Sequence, residues 1–195
     1  MSIQKIEKIT KAIINHPDNQ EFTKLGWEPV FTAHPKAKIL LIAQAPGLKT
    51  QKINSPFHDQ SGKRLREWLD VNETIFYNPT IFAIMPMDFY FPGKAKHGDL
   101  PPRKDFADKW HPLLLSEMPN LKLTILIGSY AVNYYLNDLD QPNLTGYVKD
   151  YQKYLPNYFP IIHPSPLNGP WLKKNPWFLE DTIPALKKTI HSIID

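Results

Sequence analysis

Lys38-Ile39-Leu40-Leu41-Ile42-Ala43-Gln44-Ala45-Pro46-Gly47 decides the fold. Its first half is an unbroken apolar run of strand length, with no polar residue alternating through it, as expected of a strand buried on both faces. It stops at Ala-Pro-Gly, where proline restricts φ and the chain must turn. Three more such runs follow: Thr80–Met85, Leu123–Gly128 and Tyr158–His163. Between them, apolar residues recur at helical spacing. Leu65, Trp68 and Leu69 mark a helix over 62–70, Phe106, Trp110, Leu113 and Leu114 another over 104–117, and Ser129–Leu136 opens a third. Ile3, Ile6, Ile9 and Ile13 predict a helix over 2–16, and Leu179, Ile183, Leu186, Ile190 and Ile193 a last one. Short buried strands separated by helices predict an α/β protein, a three-layer α/β/α arrangement around a central, mostly parallel four-stranded sheet. A chain of 195 residues suits one domain over 1–195, with 1–30 as a helical extension packed on it.

Composition narrows the function classes. Hydrophobic residues at 42% and aromatic residues at 12% fit a folded globular chain. The net charge of +4 is compatible with nucleic acid without demanding it. No apolar run approaches the roughly 20 residues that cross a bilayer, and the opening residues lack the apolar stretch of a secretory signal. The absence of cysteine excludes disulfides, thiolate zinc sites and cysteine-ligated iron–sulfur clusters. No His, Asp and Glu cluster has metal-ligand spacing, and neither a dinucleotide-binding glycine motif nor a phosphate-loop lysine occurs. A cytoplasmic, monomeric protein without cofactor or metal is the expectation.

Parallel sheets bind ligands beyond the carboxyl ends of their strands. Here those ends are Gln44–Gly47, Met85–Asp88, Gly128-Ser129 and His163–Leu167. The last loop, His163-Pro164-Ser165-Pro166-Leu167-Asn168, is stiffened by two prolines and presents polar and apolar groups together. Each residue also has an ordinary explanation. Phe57 could pack in a core, Asp59 or Ser129 could cap a helix, His163 could be structural and Leu167 could tuck against the body. The basic, proline-rich stretch Lys94–Arg103 could be a solvated loop, or a lid touching phosphates.

Five segments, in this order, resemble the uracil-DNA glycosylase superfamily: Ala43-Gln44-Ala45-Pro46-Gly47, Ser55-Pro56-Phe57, Asp59-Gln60-Ser61-Gly62, Gly128-Ser129-Tyr130-Ala131 and His163-Pro164-Ser165-Pro166-Leu167. The resemblance spans roughly residues 38–190. It implies a DNA glycosylase that flips a damaged base from the helix and hydrolyses its N-glycosidic bond, as in base excision repair. It assigns Phe57 to stacking on the flipped base, with Gln44 and Ala45 supplying backbone donors. His163 is the leaving-base donor, as a neutral imidazole. Ser61, Ser129 and Ser165 would pinch backbone phosphates, and Leu167 would fill the hole left by the base. Pro164 and Asn168 complete the DNA-facing loop, and Lys173 with Lys174 would add phosphate charge.

Two positions depart from the best-known branch. Its water-activating aspartate follows the glutamine of the first motif, where this chain has Ala45. Asp59, placed as in another branch, becomes the candidate water activator, with His58 as the fallback. The base-reading asparagine at the second strand end is replaced by Met85, with Asp88 the nearest polar group. Methionine cannot tell an imide from an amide by hydrogen bonding, so uracil, hypoxanthine, xanthine and other damaged bases all stay open as substrates. A catalytically weak DNA-binding relative and a small-molecule hydrolase or transferase on the same scaffold are the alternatives.

Overall fold

The computed structural model describes residues 2–137 and 143–194. Four strands, β1 (Ile39–Ile42), β2 (Phe82–Ile84), β3 (Leu123–Ile127) and β4 (Tyr158–Ile161), form one sheet in the order β2-β1-β3-β4 with every neighbouring pair parallel. An isolated antiparallel bridge joins Thr32 to Ile84. The ten α-helices among the described residues begin with α1 (Ser2–Asn15), α2 (Gln20–Lys24), α3 (Leu48–Ile53), α4 (Gln60–Leu69) and α5 (Glu73–Phe76). They continue with α6 (Phe106–Leu115), α7 (Ser129–Tyr135), α8 (Leu144–Lys149), α9 (Gly169–Lys174) and α10 (Ile183–Ile194).

Side chains alternate across a strand, so an apolar run without polar breaks must feed two cores. In β1, Ile39 and Leu41 enter one cluster together with Leu65 of α4 and Leu186 and Ile190 of α10. Leu40 and Ile42 enter the other, with Ile6 and Ile13 of α1, Trp110 and Leu114 of α6, and Val132 of α7. The three-layer α/β/α arrangement read from the sequence is therefore what these residues build. Among the described residues no helix is long and apolar enough to cross a membrane.

Several details differ from the periodicity. Ile3 and Leu113 point to solvent, 51% and 46% exposed, so the stripes of α1 and α6 are narrower than their apolar content suggests. Leu179 is also exposed, because a π-turn over Phe178–Thr182 precedes α10 and changes the residue period. The segment after β2 is no loose loop. Met85, Met87 and Asp88 donate their backbone N–H groups to Leu41, Ala43 and Gln44, continuing the sheet ladder past the end of both strands.

Candidate active site

A cavity of about 440 Å³ opens at the carboxyl ends of β1 and β4, within the roughly 300–1,000 Å³ usual for small-molecule sites. Its floor is Ala43–Gly47 and its walls include Phe57, Asp59, Ser61 and His163. Ser165, Leu167 and Asn168 lie on it as well. The sheet order changes direction between β1 and β3, and that switch point is where open parallel sheets leave a crevice.

Phe57 is held in an unusual conformation. Its φ of 57° lies in the left-handed region, which costs a bulky residue on the order of 1–3 kcal/mol unless its surroundings enforce it. Three neighbours do. Arg66 Nη1 and the Tyr77 hydroxyl donate to the Phe57 carbonyl at 3.3 and 3.1 Å. Arg66 is itself fixed by Glu73 at 2.8 Å. Gly62 in the first turn of α4 leaves room for that carbonyl, since a Cβ there would sit 1.6 Å from it. The Phe57 ring meets Phe76 edge-on at 6.2 Å, which sets its tilt.

Asp59 is the N-cap of α4, its Oδ1 accepting from Gly62 N at 3.0 Å, so a capping bond and a place on the cavity wall coexist in one carboxylate. Ser61 is only 8% exposed and faces the cavity rather than an outer rim. His58 does not line the cavity; its ring lies 6.3 Å from that of Tyr77.

His163 sits just past β4 in a loop that its own polar groups tie together. Ser165 N donates to His163 Nδ1 at 3.2 Å, Asn168 Nδ2 to the His163 carbonyl at 2.7 Å, and Leu167 N to Ser165 Oγ at 3.2 Å. Arg64 of α4 reaches across to the Ser165 carbonyl at 3.1 Å and links this loop to the opposite wall. A ring nitrogen that accepts leaves the neutral imidazole its proton on Nε2. Burial pushes the His163 pKa below its ordinary value, and the nearby Asp59 carboxylate opposes this in part. A neutral imidazole donating from Nε2 follows. Leu167 is 88% exposed at the tip of the 3-10 turn Pro166–Asn168, whereas Pro164 is buried beneath.

Not every residue expected at the site is brought to it. Met85 is fully buried in the α1/α6 core. The ladder pairing past β2 turns Met85 and Met87 toward that core, and Pro86 between them lines the cavity instead. Asp88 is fully buried and chelates Arg103, with Oδ2 2.7 Å from Nε and Oδ1 2.9 Å from Nη2. Its carboxylate holds the end of the 92–102 segment through Arg103 and does not line the cavity. Ser129 starts α7, exposed and outside the cavity lining, and Gly128 before it abuts His163, with an added Cβ falling 3.8 Å from His163 Cβ. Lys173 and Lys174 end α9, exposed and outside the cavity.

Sequence reasoning missed Thr50, Asp99 and Arg64. The first two line the cavity and the third braces its histidine loop. Nothing in the spacing of Asp99 or Arg64 sets them apart from other surface charges. Among the described residues no group of three or more His, Asp or Glu could hold a metal ion.

The family model for the uracil DNA glycosylase superfamily matches residues 30–187. That range contains the floor, both walls and the histidine loop of the cavity, and with most of its length matched the chain belongs to the uracil DNA glycosylase superfamily.

Proposed function

We propose that the protein is a monofunctional DNA glycosylase that removes uracil or another deaminated base from DNA. The observation that carries this reading is that Phe57 and Asp59, from the loop before α4, and His163, from the loop after β4, line one cavity large enough for a nucleobase. The flipped base stacks on Phe57, while backbone amides at Gln44 and Ala45 face its carbonyl oxygens. His163 Nε2–H donates to a base oxygen as negative charge builds there. Asp59 orients a water and takes its proton. The water oxygen bonds to C1′, the N-glycosidic bond breaks, and its electron pair leaves on the base. Ser129, Ser165, Lys173 and Lys174 contact backbone phosphates as Leu167 occupies the gap in the stack.

A base-release assay tests this, run over uracil, hypoxanthine and xanthine in paired, mismatched and single-stranded DNA. Release of at least one of these bases is the expected result. The cap bond on Asp59 and the alanine at position 45 favour one competing reading, a DNA-binding relative with little catalysis. Tight DNA binding with no release on any substrate would select it.

A further inference from the structure

Resting on the glycosylase reading, we propose that Asp99 is the residue that tells a deaminated base from its parent. Asp99 belongs to a strap, Pro92–Pro102, that is pinned at both ends. At one end Phe91 N donates to Gln51 Oε1 at 2.9 Å. At the other Arg103 chelates Asp88, reaches Asn19 Oδ1 at 2.7 Å and lies over the Phe106 ring. Between them the strap folds into a small hairpin, with Leu100 N donating to the Gly93 carbonyl at 2.9 Å and an antiparallel bridge pairing Lys94 with Asp99. This hairpin delivers the Asp99 side chain to the same cavity as Phe57 and His163.

Lys94 Nζ holds Asp99 Oδ1 at 2.6 Å. Oδ2 lies over Gly47 on the cavity floor, 3.6 Å from where a Cβ on Gly47 would be. The lysine also offsets the carboxylate charge, so an anionic leaving base does not face a bare negative group.

A carboxylate only accepts hydrogen bonds. Deamination changes the base edge in the sense that such a group detects. Cytosine N3 and adenine N1 are lone-pair acceptors; in uracil and hypoxanthine the same ring nitrogens carry a proton. With its free oxygen facing the ring nitrogen and not the neighbouring amino group, Asp99 rewards the N–H of either deaminated base and sets a lone pair against negative charge in either parent. It gives no bonus to a particular exocyclic oxygen, so one residue serves pyrimidine and purine alike. The base reading that Met85 cannot perform is supplied from the strap.

The test compares wild type, Asp99→Asn and Asp99→Ala in two measurements. The first is base release from duplexes holding uracil, hypoxanthine, cytosine or adenine at one site. The second is binding of the four free bases, which needs no catalysis. An amide is the same size but accepts less strongly and can also donate to a lone pair, so Asp99→Asn should lower the uracil-over-cytosine and hypoxanthine-over-adenine ratios about 5- to 10-fold, less than Asp99→Ala does. Asp99→Ala should weaken binding of both deaminated bases and flatten both ratios. If wild type releases base and both variants keep its ratios, the assignment of Asp99 is overturned while the glycosylase reading stands. If wild type releases none but binds free uracil over cytosine in an Asp99-dependent way, the base reader stands and the glycosylase reading falls. Wild type that neither releases nor discriminates bases overturns both.

Discussion

Gly62→Ala should separate the strained loop from the rest of the molecule. An added Cβ would lie 1.6 Å from the Phe57 carbonyl oxygen, 2.4 Å from its carbon and 2.9 Å from Phe57 Cα. All three are backbone atoms, so no rotamer change relieves the overlap, and the Phe57 peptide must move until the shortest contact has nearly doubled. That movement breaks the bonds from Arg66 and Tyr77 to the Phe57 carbonyl, at a cost of about 1 kcal/mol each. It also releases the left-handed strain at Phe57, about 1–3 kcal/mol, and alanine suits a helix better than glycine by about 0.5–1 kcal/mol. These contributions offset one another to within about 2 kcal/mol, so the melting temperature should move by less than about 8 °C for a chain of this size. Base excision should fall about 100-fold, because the stacking ring and the Asp59–Gly62 cap shift together by an ångström or more. The assay pairs a thermal melt with single-turnover base release. Unchanged excision would refute the claim that this backbone geometry places Phe57, and global unfolding would refute the view that the strain is local.

His163→Ala should slow excision by about 100- to 1,000-fold and leave DNA affinity nearly intact, as read by single-turnover kinetics beside a binding titration. Because burial lowers the His163 pKa, the neutral donor should persist to a pH below the ordinary histidine value, and the acid limb of the excision profile attributed to it should lie below about 6.5. Leu167→Ala should impair duplex substrates more than single-stranded ones, since only a duplex leaves a gap to fill; equal losses would count against a wedge. His111 is buried with both ring nitrogens engaged, Nδ1 2.6 Å from the Tyr135 hydroxyl and Nε2 2.9 Å from the Pro86 carbonyl, and burial lowers its pKa to about 4. The unfolded chain binds the proton first, so the stability this neutral histidine contributes is complete above about pH 6.5 and is lost as pH falls toward 4. The loss is about 3 kcal/mol, and chemical denaturation at pH 7.5 and 4.5 should show a smaller decline in His111→Asn than in wild type.

The strands were legible because burial on both faces leaves an unmistakable apolar run, and the two-core split of Ile39 and Leu41 against Leu40 and Ile42 shows why. The short helices α3, α5, α8 and α9 carry at most six residues each, too few for an amphipathic period to register. They are held by tertiary contacts, such as Trp171 of α9 donating to Thr145 of α8 at 3.0 Å. At the site, Phe57, Asp59 and His163 were legible as residues but their relation was not. What joins them is a carbonyl lodged against Gly62, a backbone fit that no residue pattern announces, and an arginine on Ser165, a contact between positions 101 residues apart in the chain.

Met85 and Asp99 show a sharper limit. From the sequence, the residue that ends the second apolar run is the natural one to face a ligand, and an aspartate in a basic, glycine- and proline-rich stretch is the natural one to face water. The ladder past β2 reverses the first expectation, and the hairpin that pairs Lys94 with Asp99 reverses the second. Once Met85 N is bonded to Leu41 and Met87 N to Ala43, alternation sends both methionines into the α1/α6 core, and Pro86 presents only an apolar ring to the cavity. Among the described residues from Met85 to Asp88, only Pro86 then lines the cavity. A polar side chain reaches the cavity at Gly47 instead, through the strap, whose ends are fixed by Gln51 and by the Asp88–Arg103 pair. Asp88 is thus tied to the cavity at one remove: its buried charge anchors the segment that carries Asp99. Removing one partner of a buried pair leaves the other uncompensated at a cost of about 3–5 kcal/mol, so a strap fixed this way holds a carboxylate over Gly47 far more firmly than a solvated loop would.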